Sequence, residues 1–178
     1  MLKDVRPSHT KEVVVAALFG KQPDSGRLFA DGAWRVAQGE IEGSPVIVRV
    51  NDNLKPFVGK SDHTLKIGFA VPLNNPNPGG LPTPEENEQL GPIEDRILQV
   101  LRESGSVVEA LAITMGTFKE FVFYTKPNTD VRAIHERLMD EIKTHDVQCY
   151  AEIEAKWDPY KQWADGLQAG AADSRDCR

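Results

Sequence analysis

Thr64-Leu65-Lys66-Ile67-Gly68-Phe69-Ala70-Val71-Pro72 sets large apolar residues at every second place, with Lys66, Gly68 and Ala70 between them. That is the period of a strand. The segments C-terminal to it decide the fold. Asn74 to Pro82 carries an Asn pair, a Gly pair and three prolines, which excludes regular structure. Thr83-Pro84-Glu85-Glu86 then starts a helix: Thr83 can cap, Pro84 suits the first turn, and Glu86 can reach back as a capping box. The stripe Leu90, Ile93, Ile97, Val100 and Leu101 gives that helix one apolar face, and Gly91-Pro92 predicts a kink or restart within it. Ser104-Gly105 ends it. Val107 to Met115 reads as a strand with Val107, Leu111 and Ile113 on one face and Val108, Ala110, Ala112 and Thr114 on the other. Gly116-Thr117 turns the chain, and Phe118 to Thr125 returns beside it. A second helix after Pro127 to Asp130 carries Val131, Ile134, Leu138 and Ile142, and Val147, Cys149, Ala151 and Ile153 mark a last strand. Strand, helix, strand, strand, helix, strand is the split βαβ order of a ferredoxin-like α+β fold, an antiparallel sheet with two helices on one face.

Working outward, the fold is preceded by additional N-terminal β-strands. Residues 1–10 read as a flexible leader and Glu12 to Phe19 as a strand, not a signal sequence, since Lys11 and Glu12 precede the apolar stretch Val13 to Phe19, Lys21 follows it and there is no small-residue cleavage site. Ala33 to Glu40 and Ser44 to Asn51 form a hairpin across Glu42-Gly43. The expected organisation is one α+β domain over residues 11–163, with N-terminal strands in 11–60 and the ferredoxin-like part in 64–163, then a disordered tail over 164–178. Two helices leave one sheet face bare, and that face is too apolar for open water. Either the N-terminal strands extend or cover the sheet, or a second subunit does, as a homodimer through the face not covered by helices. We favour the strands.

Charge narrows the function classes. The 178 residues hold 21 Lys+Arg against 27 Asp+Glu, a net charge of -6, with no basic run. Direct nucleic-acid binding, which needs clustered cations, is disfavoured. No segment approaches the ~20 apolar residues of a membrane helix, so no membrane role is expected. Cys149 lies in an apolar strand and Cys177 near the end of the chain, a poor disulfide pair, which suggests a reducing, cytoplasmic setting.

The chain also resembles the bacterial family 695 of domains of unknown function. The likeness is carried by Trp34, Gly43-Ser44-Pro45-Val46-Ile47-Val48-Arg49-Val50-Asn51, Leu81-Pro82-Thr83-Pro84-Glu85-Glu86, Ile93-Glu94-Asp95, Thr114-Met115-Gly116, Phe123-Tyr124, and Trp157 with Tyr160. Members of that family can occur beside a domain similar to the acidic inhibitor proteins of ribonuclease E. The resemblance therefore implies a protein-binding role and identifies no mechanism.

No motif identifies a chemistry. His9, His63, His135 and His145 share no ligand spacing, so no metal is expected. Pro78-Gly79-Gly80 lacks the Lys-Ser/Thr of a phosphate loop, and no cofactor is expected. The residues singled out for binding are Arg49, Asn51, Tyr124, Trp157 and Tyr160. Arg49 and Asn51 project to one side of a strand, where an arginine needs a partner. Trp157, Tyr160 and Trp163, three residues apart, either lid the sheet or anchor a partner. The leading expectation is a non-enzymatic, acidic, cytoplasmic protein-interaction or regulatory domain. The alternatives are a small-ligand binding module or a hydrolase with a site near Arg49 and Asn51.

Overall fold

Glu42 and Gly43 both adopt positive φ (52° and 81°), the turn that matches strand twist in a two-residue hairpin. They join β1 (Trp34–Ile41) to β2 (Ser44–Asn51), paired from Ile41↔Ser44 to Trp34↔Asn51. The computed structural model describes residues 33–172, with side chains through 166. The expected leader, the strand at Glu12 to Phe19 and Cys177 lie outside the described residues. After β2 come a 3-10 turn (Asp52–Phe57), β3 (Leu65–Pro72), α1 (Pro84–Ser104), β4 (Val107–Met115), β5 (Phe118–Thr125), α2 (Val131–Glu141), β6 (Gln148–Ile153) and α3 (Asp158–Ala172). The fold is α+β, with a six-stranded sheet in the order β1-β2-β4-β5-β3-β6. Every neighbouring pair is antiparallel. The hairpin thus extends the sheet beyond β4.

Thr83 caps α1 as its sequence predicts, its side chain accepting from the Glu86 N–H at 3.3 Å. Glu86 does not complete the box. Its buried carboxylate instead accepts the N–H groups of Asn74 and Asn75 and lies 3.3 Å from Nε2 of the buried His145. One side chain thereby ties the prolyl loop to the turn before β6. α1 also runs through Gly91-Pro92 as one element and does not restart there. Leu90, Ile93, Ile97 and Leu101 stay buried on the sheet across that point, and their packing outweighs the hydrogen bond that Pro92 cannot donate.

Both faces of the sheet carry a core. On one, Ile67, Phe69, Val71, Phe121 and Phe123 meet Leu90, Ile97, Leu101, Ile134 and Leu138 of α1 and α2. On the other, Val46, Val48, Val50, Leu111, Ile113, Val122 and Tyr124 meet Trp157, Tyr160 and Ala164 of α3. Arg35 on β1 helps to hold that helix, donating to Asp52 at 2.5 Å and to the Ala164 carbonyl at 3.0 Å. The second layer corrects the expectation of a bare face: over β2, β4 and β5 it is α3 that covers it, which removes that surface from the expected homodimer. α3 runs to Ala172, into the stretch from residue 164 expected to be irregular.

β4 brings a further correction. Its register against β5 shifts between Glu109 and Leu111, so Ala110 is an extra residue, a β-bulge. The bulge reverses the alternation. Val107 packs under the α1/α2 layer, while Leu111 and Ile113 pack under α3. The strict two-residue period expected from the sequence puts all three on one face.

Gly68 shows how the sheet is finished where no helix covers it. The Tyr150 ring from β6 lies across it, with its hydroxyl donating to Glu120 at 2.5 Å and the Lys66 ammonium 5.4 Å from the ring centroid. A β-carbon on Gly68 would overlap that ring. Gly68→Ala is therefore expected to destabilise the fold by about 1–3 kcal/mol by expelling Tyr150. In Tyr150→Ala the added cost of Gly68→Ala should largely vanish. Additive urea-melt values would show that the ring does not depend on the glycine.

Candidate functional site

Arg49 faces the α1/α2 side of β2, opposite Ala112. Its guanidinium pairs with Glu94 of α1, lies 3.9 Å from a Glu109 carboxylate oxygen, and sits 5.2 Å over the Trp34 ring. Each part has a local reason to be there. The β2 alternation points Val48 and Val50 under α3, so Arg49 points the other way. Glu109 immediately precedes the bulged Ala110 and pairs with Phe123, which sets it on the same side as Arg49. Glu94 follows Ile93 on α1, where the helix passes over β4. Lys119 on β5 adds a second cation to this cluster.

The electrostatics are those of a largely buried, ion-paired group in which Arg49 Nε is left without a hydrogen-bond partner. Burial pushes the Glu94 carboxyl up, but the Arg49 charge, a hydrogen bond with Glu109 and the Lys119 charge together hold it below the usual range. Lys119 moves down, chiefly through burial and further through Arg49, against the pull of Glu94 and Glu109. The Arg49 side chain keeps 25% of its exposure and Glu94 11%, so within the pair solvent reaches Arg49 more than Glu94. Asn51 also turns to Glu109, donating to its backbone carbonyl at 3.0 Å while its side-chain oxygen accepts from the Asn53 N–H at 3.3 Å. The structure thus brings Arg49 and Asn51 together around Glu109, where both act to fasten α1, β2 and β4.

Tyr124, Trp157 and Tyr160 are elsewhere, wholly buried between the sheet and α3. Tyr124 and Trp157 stack at 4.1 Å, and Trp157 meets Tyr160 edge to face at 6.0 Å. Each polar atom has a partner: the Trp157 indole donates to the His63 carbonyl at 2.9 Å, the Tyr160 hydroxyl to that of Asn51 at 2.8 Å, and the Tyr124 hydroxyl to Glu154 at 3.0 Å. Burial and the nearby Glu154 charge push the Tyr124 phenol well above its ordinary range. These aromatics pack the α3 layer, the lid arrangement, and are not exposed anchors. Cys149 is a part-buried thiol pushed up to about 12 by burial, unsuited to nucleophilic work at neutral pH.

Sequence reasoning missed a cleft of about 530 Å³ between the end of α1 and the start of α2. Ser104, Ser106, Thr125, Lys126 and Arg137 line part of it. It draws on three separate stretches of chain, and none carries a motif, so only the fold reveals it. Among the described residues no group of three or more His, Cys, Asp or Glu side chains is gathered to hold a metal. No helix among them is long and apolar enough to cross a membrane.

Compared with known protein families, residues 32–163 match the family model described as Family of unknown function (DUF695). No curated protein and no solved structure matches the chain.

Proposed function

We propose that this chain, which belongs to the Family of unknown function (DUF695), is a cytoplasmic protein-interaction or regulatory domain that binds its partner by adding a strand beside β6. The reading rests on that edge. Among the described residues β6 pairs only with β3, and five of its six residues are exposed. Ile153 is 65% exposed and Tyr150 40%. An edge strand presents a row of backbone donors and acceptors, and alternate side chains beside it supply selectivity. On the Ile153 side the fitting partner carries apolar residues; on the other, Glu152 is already paired with Lys66 at 2.5 Å. We read β4-β5-β3-β6, with α1 and α2 on one side, as a ferredoxin-like split βαβ unit. A ligand or hydrolytic site at Arg49 and Asn51 has less support, because Arg49 is paired with Glu94 and Asn51 donates to the Glu109 carbonyl.

The test is recovery of a partner by the full chain from its source cell, followed by amide exchange of the complex. Exchange at residues 148–153 should slow on binding. Ile153→Lys should lower recovery by about tenfold while leaving the melting temperature unchanged, since the side chain is mostly exposed. Unchanged exchange across β6, with full recovery by the variant, would place the contact elsewhere.

A further inference from the structure

The geometry points to a nucleophilic serine centre that cleaves small carboxylic esters, with Ser106 on the wall of the cleft and His63 and Asp62 behind it. It goes beyond the strand-edge reading and uses none of its residues.

The Ser106 hydroxyl lies 2.8 Å from Nε2 of His63. On the far side of the ring, Nδ1 is 3.0 Å from an Asp62 carboxylate oxygen and 2.7 Å from the Ser61 hydroxyl. The other Asp62 oxygen is held by the Lys126 ammonium at 3.0 Å. That hydrogen bond, more than any other influence, keeps Asp62 below its ordinary range and therefore anionic at neutral pH. An ionised carboxylate can only accept, so the Asp62 contact favours the tautomer with the proton on Nδ1 and the Nε2 lone pair facing Ser106. A nucleophile, a base and a carboxylate thus stand in order, with the Ser61 hydroxyl sharing Nδ1, the sequence of groups that activates a serine.

Three further observations fit a working site better than an ordinary satisfied histidine. The ring is buried while Ser106 is exposed, so the base is shielded and the nucleophile is open to substrate. The His63 backbone is pinned, its N–H donating to the Ser61 hydroxyl at 3.1 Å and its carbonyl accepting from Trp157 at 2.9 Å. Ser106 also opens into the cleft of about 530 Å³, within the range of small-molecule sites. Lys126 and Arg137 line the same cleft, Lys126 paired with Asp62 and Arg137 with Glu103 and Glu141, so the wall beside Ser106 is polar.

The reaction balances without any other co-reactant than water. Ser106 Oγ attacks the ester carbonyl carbon while Nε2 of His63 takes the hydroxyl proton. The C–O bond to the leaving group breaks, and the departing oxygen receives that proton and leaves as an alcohol. Water, deprotonated by the same nitrogen, attacks the acyl-serine. The carboxylic acid departs and Ser106 Oγ regains its proton. Ser106 and His63 are the catalytic residues, and Asp62 is a positioning residue.

The test treats the full chain with a fluorophosphonate probe and with p-nitrophenyl butyrate. One probe adduct, mapped to Ser106 by peptide mass, and ester turnover above that of Ser106→Ala are expected. His63→Gln should slow both by about a hundredfold, the usual contribution of a general base. Asp62→Asn, at an exposed position that keeps the fold, should slow them by about tenfold with an unchanged melting temperature, which a merely structural aspartate would not do. If His63→Gln fails to fold, Ser106→Ala and Asp62→Asn decide. A folded wild-type chain that takes no adduct, or takes it at another residue, would overturn the assignment and leave the strand-edge reading untouched.

Discussion

Replacing Trp157 by alanine is expected to remove about 4 kcal/mol of stability, in the middle of the range for deleting a core aromatic. The indole is almost wholly buried, stacks on Tyr124 and supplies the hydrogen bond to the His63 carbonyl. Its loss leaves a cavity between α3 and the sheet and an unpaired carbonyl beside it. Trp157 also holds a positive φ of 55°; alanine relieves none of that strain, so nothing offsets the lost packing. Trp157→Phe keeps a ring for the stack and should cost less, about 2 kcal/mol, most of it for the missing donor and the smaller ring. Urea melts of both variants at equal slope provide the check. A loss below about 1 kcal/mol in the alanine variant would show that α3 does not hold this face of the sheet.

Arg49→Ala should cost about 3 kcal/mol, because it leaves Glu94 among buried neighbours without its main counter-charge. The pH dependence separates this from simple loss of side-chain packing. The folded-state value of Glu94 lies below its ordinary 4.5. Its pairing therefore stabilises the fold above pH 4.5, and that stabilisation is lost as the pH falls through the lowered value. The deficit of Arg49→Ala should be largest near neutrality and shrink in acid, where Glu94 takes a proton in both proteins. A deficit that stays constant from pH 7 down to the acid limb would mean that Arg49 serves through its packing on Trp34. Because this ion pair spans β2 and α1, the variant also tests whether the hairpin depends on the helix layer.

Much of the architecture was legible in the chain. The alternation of Leu65 to Val71, the capping Thr83 with Pro84, the stripe from Leu90 to Leu101 and the Glu42-Gly43 turn each name an element through contacts within a few residues. The site was less so. Arg49 announced that it needed a partner, but nothing local named Glu94, 45 residues away. Trp157, Tyr160 and Trp163 declared an apolar helix face without saying what it covers. His63 and Ser106, 43 residues apart, carry no signal at all.

By itself the sequence determined the kind and order of the elements from β1 to β6, because period, caps and turn residues act over one or two turns of backbone. Tertiary structure decided the rest. The bulge at Ala110 sends Leu111 to the opposite face from Val107, since the register against β5 is set by the partner strand and not by β4's own pattern. α3 lies over β2, β4 and β5 because Trp157 and Tyr160 find buried acceptors there, at His63 and Asn51. Glu86 leaves its capping box because two loop N–H groups and His145 present more hydrogen bonds to a buried carboxylate than one helix N–H can. Each of these outcomes depends on groups far apart in the chain, whose meeting is a property of the folded molecule alone.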